Sequence, residues 1–305
     1  EGSLLISPET SEIVGETKTT IPGGWNEVAV PDAFGTSNLQ AIAYEPTGGG
    51  RFVGVSRDGN HRAIYSDDGG VSWTTGNMPG DNLWSSIAYG NGSFVAVSSN
   101  GSSRAATLSS GTNWTTSGSD AVTAAKGWSG VTYGDGSFIA VGSNGAMEST
   151  GNGSTWNARN YASSGVTGNW TGVVYGTPST GANAGSGVFV AVSSGSTTMY
   201  SLNKGFDWIN GGATTGANFV SVAYNNGIFV AVSENQGSMY STDGINWTEG
   251  TADKSTKWKS ITYGDGKFLA VSQTGDYNVM YSTDGINWEY ALAENGPWWA
   301  VAYGG

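Results

Sequence analysis

Short apolar runs interrupted by polar turns fill this chain, and the same three runs return in fixed order. The first opens on an aromatic residue and closes on Tyr: Trp84-Ser-Ser-Ile-Ala-Tyr89, Trp128-Ser-Gly-Val-Thr-Tyr133, Trp170-Thr-Gly-Val-Val-Tyr175, Phe219-Val-Ser-Val-Ala-Tyr224, Trp258-Lys-Ser-Ile-Thr-Tyr263 and Trp298-Trp-Ala-Val-Ala-Tyr303, with Leu39-Gln-Ala-Ile-Ala-Tyr44 as a variant that opens on Leu. The second is a Phe-Val-Ala-Val-Ser type of run that begins at Phe52, Phe94, Phe138, Phe189, Phe229 and Phe268. The third is a turn from Ser to Trp, ending at Trp73, Trp114, Trp156, Trp208, Trp247 and Trp288. The runs are rich in Val, Ile, Phe, Tyr, Trp and Thr, and Gly, Asn and Asp fill the gaps, which predicts strands joined by tight turns. No segment shows a sustained helical period.

Side chains alternate along a strand, so Ile87 and Tyr89 share one face and Ser86 and Ala88 the other. Phe229, Ala231 and Ser233 likewise oppose Val230 and Val232. Neither face is strongly charged, as expected of sheets covered on both sides. The closing tyrosines are 45, 44, 42, 49, 39 and 40 residues apart. That period suits a four-stranded propeller blade. The reading is therefore all-β: a seven-bladed β-propeller of four-stranded antiparallel blades, one domain over residues 1–305. Only six Phe runs and six Trp turns accompany the seven Tyr segments. The last blade, begun by 298–305, is expected to be completed by residues 1–30. In that scheme Ser3–Ser7 replaces the Phe run, Glu12–Thr19 the third strand and Thr19–Trp25 the turn, which leaves no open edge.

Ser66-Asp-Asp-Gly-Gly-Val-Ser-Trp73 matches the pattern Ser-x-Asp-x-Gly-x-x-Trp, and Tyr-Ser-Thr-Asp-Gly-Ile-Asn-Trp occurs twice, at Tyr240–Trp247 and Tyr281–Trp288. An Asp can accept backbone N–H bonds within such a turn, Gly supplies positive φ, and Trp packs the hairpin onto its sheet. On these residues the chain resembles the Asp-box (BNR-type) repeat β-propellers of sialidase-like architecture. Asn203 and Gly151 depart from the Asp position. The resemblance implies a fold, while activities within that group range from glycoside hydrolysis to receptor and assembly-factor roles, so function has to be argued from a site. The repeats also resemble those of phage tail-fibre and bacterial adhesin-like surface proteins.

Charged residues are 12% of the chain, the net charge is −12 and the pI is about 4.3, which disfavours nucleic-acid binding. There is no Cys and a single His, His61, so no thiolate or strong zinc site is expected. No metal and no cofactor is expected. No apolar run is long enough for a membrane span, so membrane insertion is not expected. A surface rich in Gly, Ser, Thr and Asn fits an extracellular, cell-surface or virion-surface protein.

An enzyme is not expected. Of the five arginines, Arg51, Arg57, Arg62, Arg104 and Arg159, three lie in one blade and the Arg-Ile-Pro signature is absent, so a sialidase-type triad is not expected. Loop acids that could serve a glycoside hydrolase are Asp81, Asp120, Glu234, Asp253, Asp276, Glu289 and Glu294, scattered over different blades and outside any motif. The expected function is non-catalytic recognition or adhesion, with a glycan or a cell-surface protein as partner. A divergent glycoside hydrolase and a protein-binding scaffold are the alternatives.

Propellers usually bind on the rim where the chain enters the innermost strand. The openers Trp128, Trp170, Trp258 and Trp298 lie near that rim and are candidate stacking platforms. Repetition in every blade favours the alternative, wedges packed between blades, because packing keeps a repeat that binding sites usually break. Residues that break the repeat are the sharper candidates: Trp299, which stands where most blades have Ser, Thr, Lys or Gln; Tyr161 and Tyr277 in loops; and His61. The insertion Thr177–Gly187 is expected to be a flexible excursion from its Gly, Ala and Ser content.

Overall fold

The computed structural model describes residues 4–6, 26–28, 31, 38–47, 49–118, 126–143, 145–159, 166–212, 216–274, 278–291 and 298–304. Six four-stranded antiparallel sheets follow one another along the chain, at 39–76, 84–116, 128–159, 170–210, 219–249 and 258–291. In each, the strands lie side by side in sequence order, and the Tyr-ending run comes first. The inner strands Leu39–Glu45, Trp84–Gly90, Trp128–Gly134, Trp170–Gly176, Phe219–Asn225 and Trp258–Gly264 pair with the Phe runs behind them. Strands such as Ser93–Ser98 and Val188–Ser193 are buried at every position, so both faces are covered as the pattern predicted.

The expected count of seven four-stranded blades is corrected to six. Among the described residues, segment 298–304 forms no ladder. It docks through single bonds, from the Trp298 N–H to the Ser272 carbonyl (3.1 Å) and from the Val301 N–H to Ser260 Oγ (3.3 Å). Strand Leu4–Ile6 pairs antiparallel with Asn26–Val28, so its recorded ladder partner is not the 298–304 segment. The residues proposed as third strand and turn, 12–25, lie outside the described residues.

Segment 298–304 nonetheless closes the ring. Trp298 and Val301 share a buried cluster with Val271, Val279 and Ala291 of the sixth sheet. On its other side Ala302 packs on the cluster of Leu39, Phe52, Ile64 and Trp73 of the first. The aromatic openers do the same job between sheets. Trp128 is clustered with Val95, Val97 and Ala105 of the preceding sheet, Trp170 with Ile139, Val141 and Ala146, and Trp258 with Val230 and Val232.

A second ring runs at the Tyr end. A Cβ on Gly90, Gly134, Gly176 or Gly264 would overlap the ring base of Tyr133, Tyr175, Tyr224 or Tyr303 of the next segment, well inside the 3.0 Å that Cβ atoms keep. Gly304 stands in the same relation to Tyr44 and Phe52, which carries the contact across the closure. Gly at these positions is a matter of close approach, not of φ.

The Ser-to-Trp turns form as read. Asp68 Oδ1 accepts from the Ser72 N–H (2.9 Å) and the Ser66 hydroxyl (2.8 Å), the Gly70 N–H donates to Ser66 Oγ, and Trp73 Nε1–H donates to the Gly70 carbonyl. Asp243 and Asp284 accept backbone N–H bonds in the same way in their shorter turns, as does Asn203 in place of Asp. These turns also clasp the neighbouring sheet. The Gly212 N–H donates to the Ile245 carbonyl (2.7 Å), the Thr251 N–H to the Ile286 carbonyl (2.9 Å), and the Gly118 N–H to the Ser154 carbonyl (2.9 Å).

The insertion 177–187 is pinned rather than loose. The Ser179 N–H donates to the carbonyls of Gly227 and Thr242, the Thr180 hydroxyl meets that of Thr242, and Tyr224 Oη–H donates to the Thr177 carbonyl (2.6 Å). Composition suggested flexibility, but tertiary partners on the fifth sheet override it.

Candidate functional site

The inner strands and segment 298–304 surround a central cavity of about 820 Å³. Every inner strand carries an irregularity at its second residue, where the register shifts: Gln40, Ser85, Ser129, Thr171, Val220 and Lys259 are each skipped by the ladder. A bulge re-aims the extra side chain. All six of these residues line the cavity, as does Trp299 at the matching place in the closing segment. Below them lie small residues such as Ser86, Gly130, Gly172 and Ser260, then a collar of Ile42, Ile87, Val131, Val173, Val222, Ile261 and Val301. Tyr44, Tyr224, Tyr263 and Tyr303 line the far end.

Much of the mouth is consumed by holding the ring together. The Ser85 hydroxyl donates to the Trp128 carbonyl (2.6 Å) and the Thr171 hydroxyl to the Phe219 carbonyl (2.8 Å). Ser86 Oγ and Ser221 Oγ accept the N–H groups of Val131 and Ile261 in the next sheet. These bonds satisfy backbone groups on the channel-facing edge that otherwise lack a ladder partner.

One arc departs from this. Lys259 Nζ lies 5.1 Å from the Trp299 ring centroid and is paired with Glu234 Oε1, whose other oxygen accepts from Asn218 Nδ2 (3.0 Å). Trp299 is half-buried, whereas its neighbour Trp298 is 3% exposed. Beyond Trp299 around the ring, Arg57 also lines the mouth, and among the described residues its guanidinium has no hydrogen-bond or ion-pair partner. Arg57 and Glu234 occupy one repeat position, directly after the second strand, where Ser99, Ser143, Ser194 and Gln273 stand elsewhere. Among the described residues, Arg57 and Lys259 are the charged side chains lining the cavity wall.

The sequence candidates separate cleanly. Trp299 lies on the cavity wall. Trp128, Trp170, Trp258 and Trp298 are 1%, 1%, 0% and 3% exposed. They present no ring face to a ligand and are withdrawn as stacking platforms, because each fills the wedge between neighbouring sheets. His61 Nδ1 is hydrogen-bonded to Asn77 Oδ1 (2.8 Å), away from the cavity wall. Tyr161 and Tyr277 lie outside the described residues. Lys259 and Arg57 were not singled out as ligand contacts, although Arg57 breaks the repeat at its own position.

The loop acids among the described residues are held by local partners. Asp81 lies 3.8 Å from Arg62, Glu289 accepts from the Tyr281 hydroxyl (2.6 Å), and Asp253 accepts from the Ser255 N–H and hydroxyl, bonds that hold its carboxyl below the usual range. Asp120, Asp276 and Glu294 lie outside the described residues. Among the described residues no three of His, Asp and Glu gather as metal ligands.

No family model and no curated protein matches the chain in sequence. Solved structures do match in fold. A virginiamycin B lyase from Staphylococcus aureus, catalytically inactive and with quinupristin, is 12% identical over 85% of this chain and 86% of its own, with a TM-score of 0.69. YCF48 bound to D1 peptide is 17% identical over 84% of this chain and 81% of its own, with a TM-score of 0.59. A nidogen/laminin complex is 9% identical over 86% of this chain and 97% of the matched one, with a TM-score of 0.55. At these identities the likeness is one of fold. The chain is a β-propeller, and its Asp-box resemblance rests on the turn residues alone.

Proposed function

We propose that this propeller is a non-catalytic recognition domain that binds a segment of a protein partner at the channel mouth, on the arc of Lys259, Trp299 and Arg57. The observation that carries the reading is Trp299. It is a half-buried indole at a bulge position where most blades have small or polar side chains, and it lies on the wall of the main cavity. An amphipathic ring at a concave mouth is a typical anchor for a peptide. Two of the fold neighbours are complexes with a peptide or a protein, which agrees with this use of the architecture. The sparsely charged surface suits a role at a cell or virion surface.

The test is a selection of immobilised random peptides on the whole chain, run beside a glycan array, with Trp299→Ala as counter-screen. Peptides that bind the wild type and are lost with Trp299→Ala support the reading. Ligands, whether peptide or glycan, that bind both proteins equally contradict it.

A further inference from the structure

We infer that the mouth recognises a carboxylate, best met by the C-terminus of a peptide, and that Glu234 is the built-in placeholder this carboxylate displaces from Lys259. The inference rests on the proposed function and names the chemistry of the same site.

The charge distribution is the first ground. The chain carries a net charge of −12, yet among the described residues the charged side chains lining its cavity wall are Arg57 and Lys259. A wall of opposite sign to the whole molecule attracts anions only locally, which suits a group delivered by a partner that docks close. Lys259 and Glu234 are the second ground. Their side chains are 14% and 28% exposed. A partly buried ammonium requires an anion, since leaving it unpaired costs far more than the pair itself contributes. Glu234 supplies that anion from the connection after strand Ile228–Ser233, tethered by Asn218. A loop carboxylate can rotate away when another takes its place, so the exchange conserves charge at Lys259.

The third ground is the order of groups around and below the mouth. Lys259, Trp299 and Arg57 come from the sixth sheet, the closing segment and the first sheet, which are consecutive around the ring. Arg57 has no partner among the described residues and can fork onto a second carboxylate oxygen. Directly below lies the Ile and Val collar, which accepts an apolar side chain. A chain end offers a carboxylate and one side chain together. A mid-chain Asp or Glu would have to bring two backbone strands into the mouth.

The test uses two pools of N-terminally labelled random hexapeptides, one with free C-terminal acids and one with C-terminal amides, bound to the whole chain. The expected result is about tenfold preferential retention of the acid pool, weakened by added salt. Glu234→Gln should raise that retention several-fold, and Arg57→Met and Trp299→Ala should each abolish the preference, with circular dichroism confirming the fold of each. Retention of acids and amides alike, through Trp299, overturns this inference and leaves the proposed function standing. Retention that ignores Trp299, or no retention, overturns both. Preference for pool members with internal Asp or Glu, whatever the terminus, overturns the assignment to a chain end. A Glu234→Gln protein that binds acids less well overturns the placeholder role.

Discussion

Replacing Gly264 with Ala puts a methyl group where the ring depends on close approach. The added Cβ would overlap Cγ and both Cδ atoms of Tyr303, all well inside the 3.0 Å that Cβ atoms keep. These atoms form the base of the ring, so Tyr303 cannot yield by bending its far end. It must swing as a unit or carry segment 298–304 with it. Overpacking of this kind costs about 1–3 kcal/mol. At about 2.1 cal/mol/K per residue, unfolding all 305 residues releases ~0.64 kcal/mol/K, so the melting temperature should fall by roughly 2–5 °C. Gly118→Ala is the control, since a Cβ there meets nothing within 4 Å. Gly134→Ala, which overlaps Tyr175, makes the same contact between two complete blades. Differential scanning calorimetry on the three variants decides the matter. The reasoning predicts that Gly264→Ala and Gly134→Ala both fall well below Gly118→Ala. A Gly264→Ala protein as stable as Gly118→Ala would refute the claim that segment 298–304 closes the ring through Tyr303.

Two further outcomes follow from buried and turn charges. Glu148 is 3% exposed and paired with Arg159 at 2.6 Å, and Arg159 stacks on Phe206 of the next sheet at 4.1 Å. Glu148→Ala should destabilise by about 3–5 kcal/mol in urea unfolding, while Glu148→Met with Arg159→Met recovers most of that loss. Asp284 is held at about 2, below the usual 3.8: burial opposes its ionisation but is outweighed by bonds from Asn287, Ile286 and Ser282. Its folded value is depressed, so its contribution is complete above the unfolded value and is lost as pH falls through about 2. Asp284→Asn should therefore melt below the wild type at neutral pH, and thermal melts should show that gap closing between about pH 4 and pH 2.

The repeat was legible because it is local. Alternation, turn Gly and the recurring Ser-to-Trp turn specify each blade from within its own sequence, so six of the seven expected blades form and the seventh does not. The ends were not legible, because closure depends on which distant segments meet. Leu4–Ile6 finds its ladder partner at Asn26–Val28, and 298–304 docks by packing and single bonds. The pinned insertion was missed for the same reason: Thr180 meets Thr242 across blades, and composition carries no trace of that. The bulge was hidden too. The second residue after each opener was visible, as Ser, Thr or Lys in most of the aromatic-led runs and Val220 or Trp299 in the others, but only the register shift shows that it turns into the channel. For the aromatic openers the repeat already favoured wedging over stacking, and their burial agrees with the wedge.

The central claim is that the arc of Lys259, Trp299 and Arg57 is a recognition site. Its most direct test is an anisotropy titration of one selected peptide against wild type and Trp299→Ala in parallel. A buried aromatic anchor contributes about 2 kcal/mol or more, so the account predicts at least a roughly thirtyfold loss of affinity with an unchanged melting temperature. Equal affinity for the two proteins would contradict it.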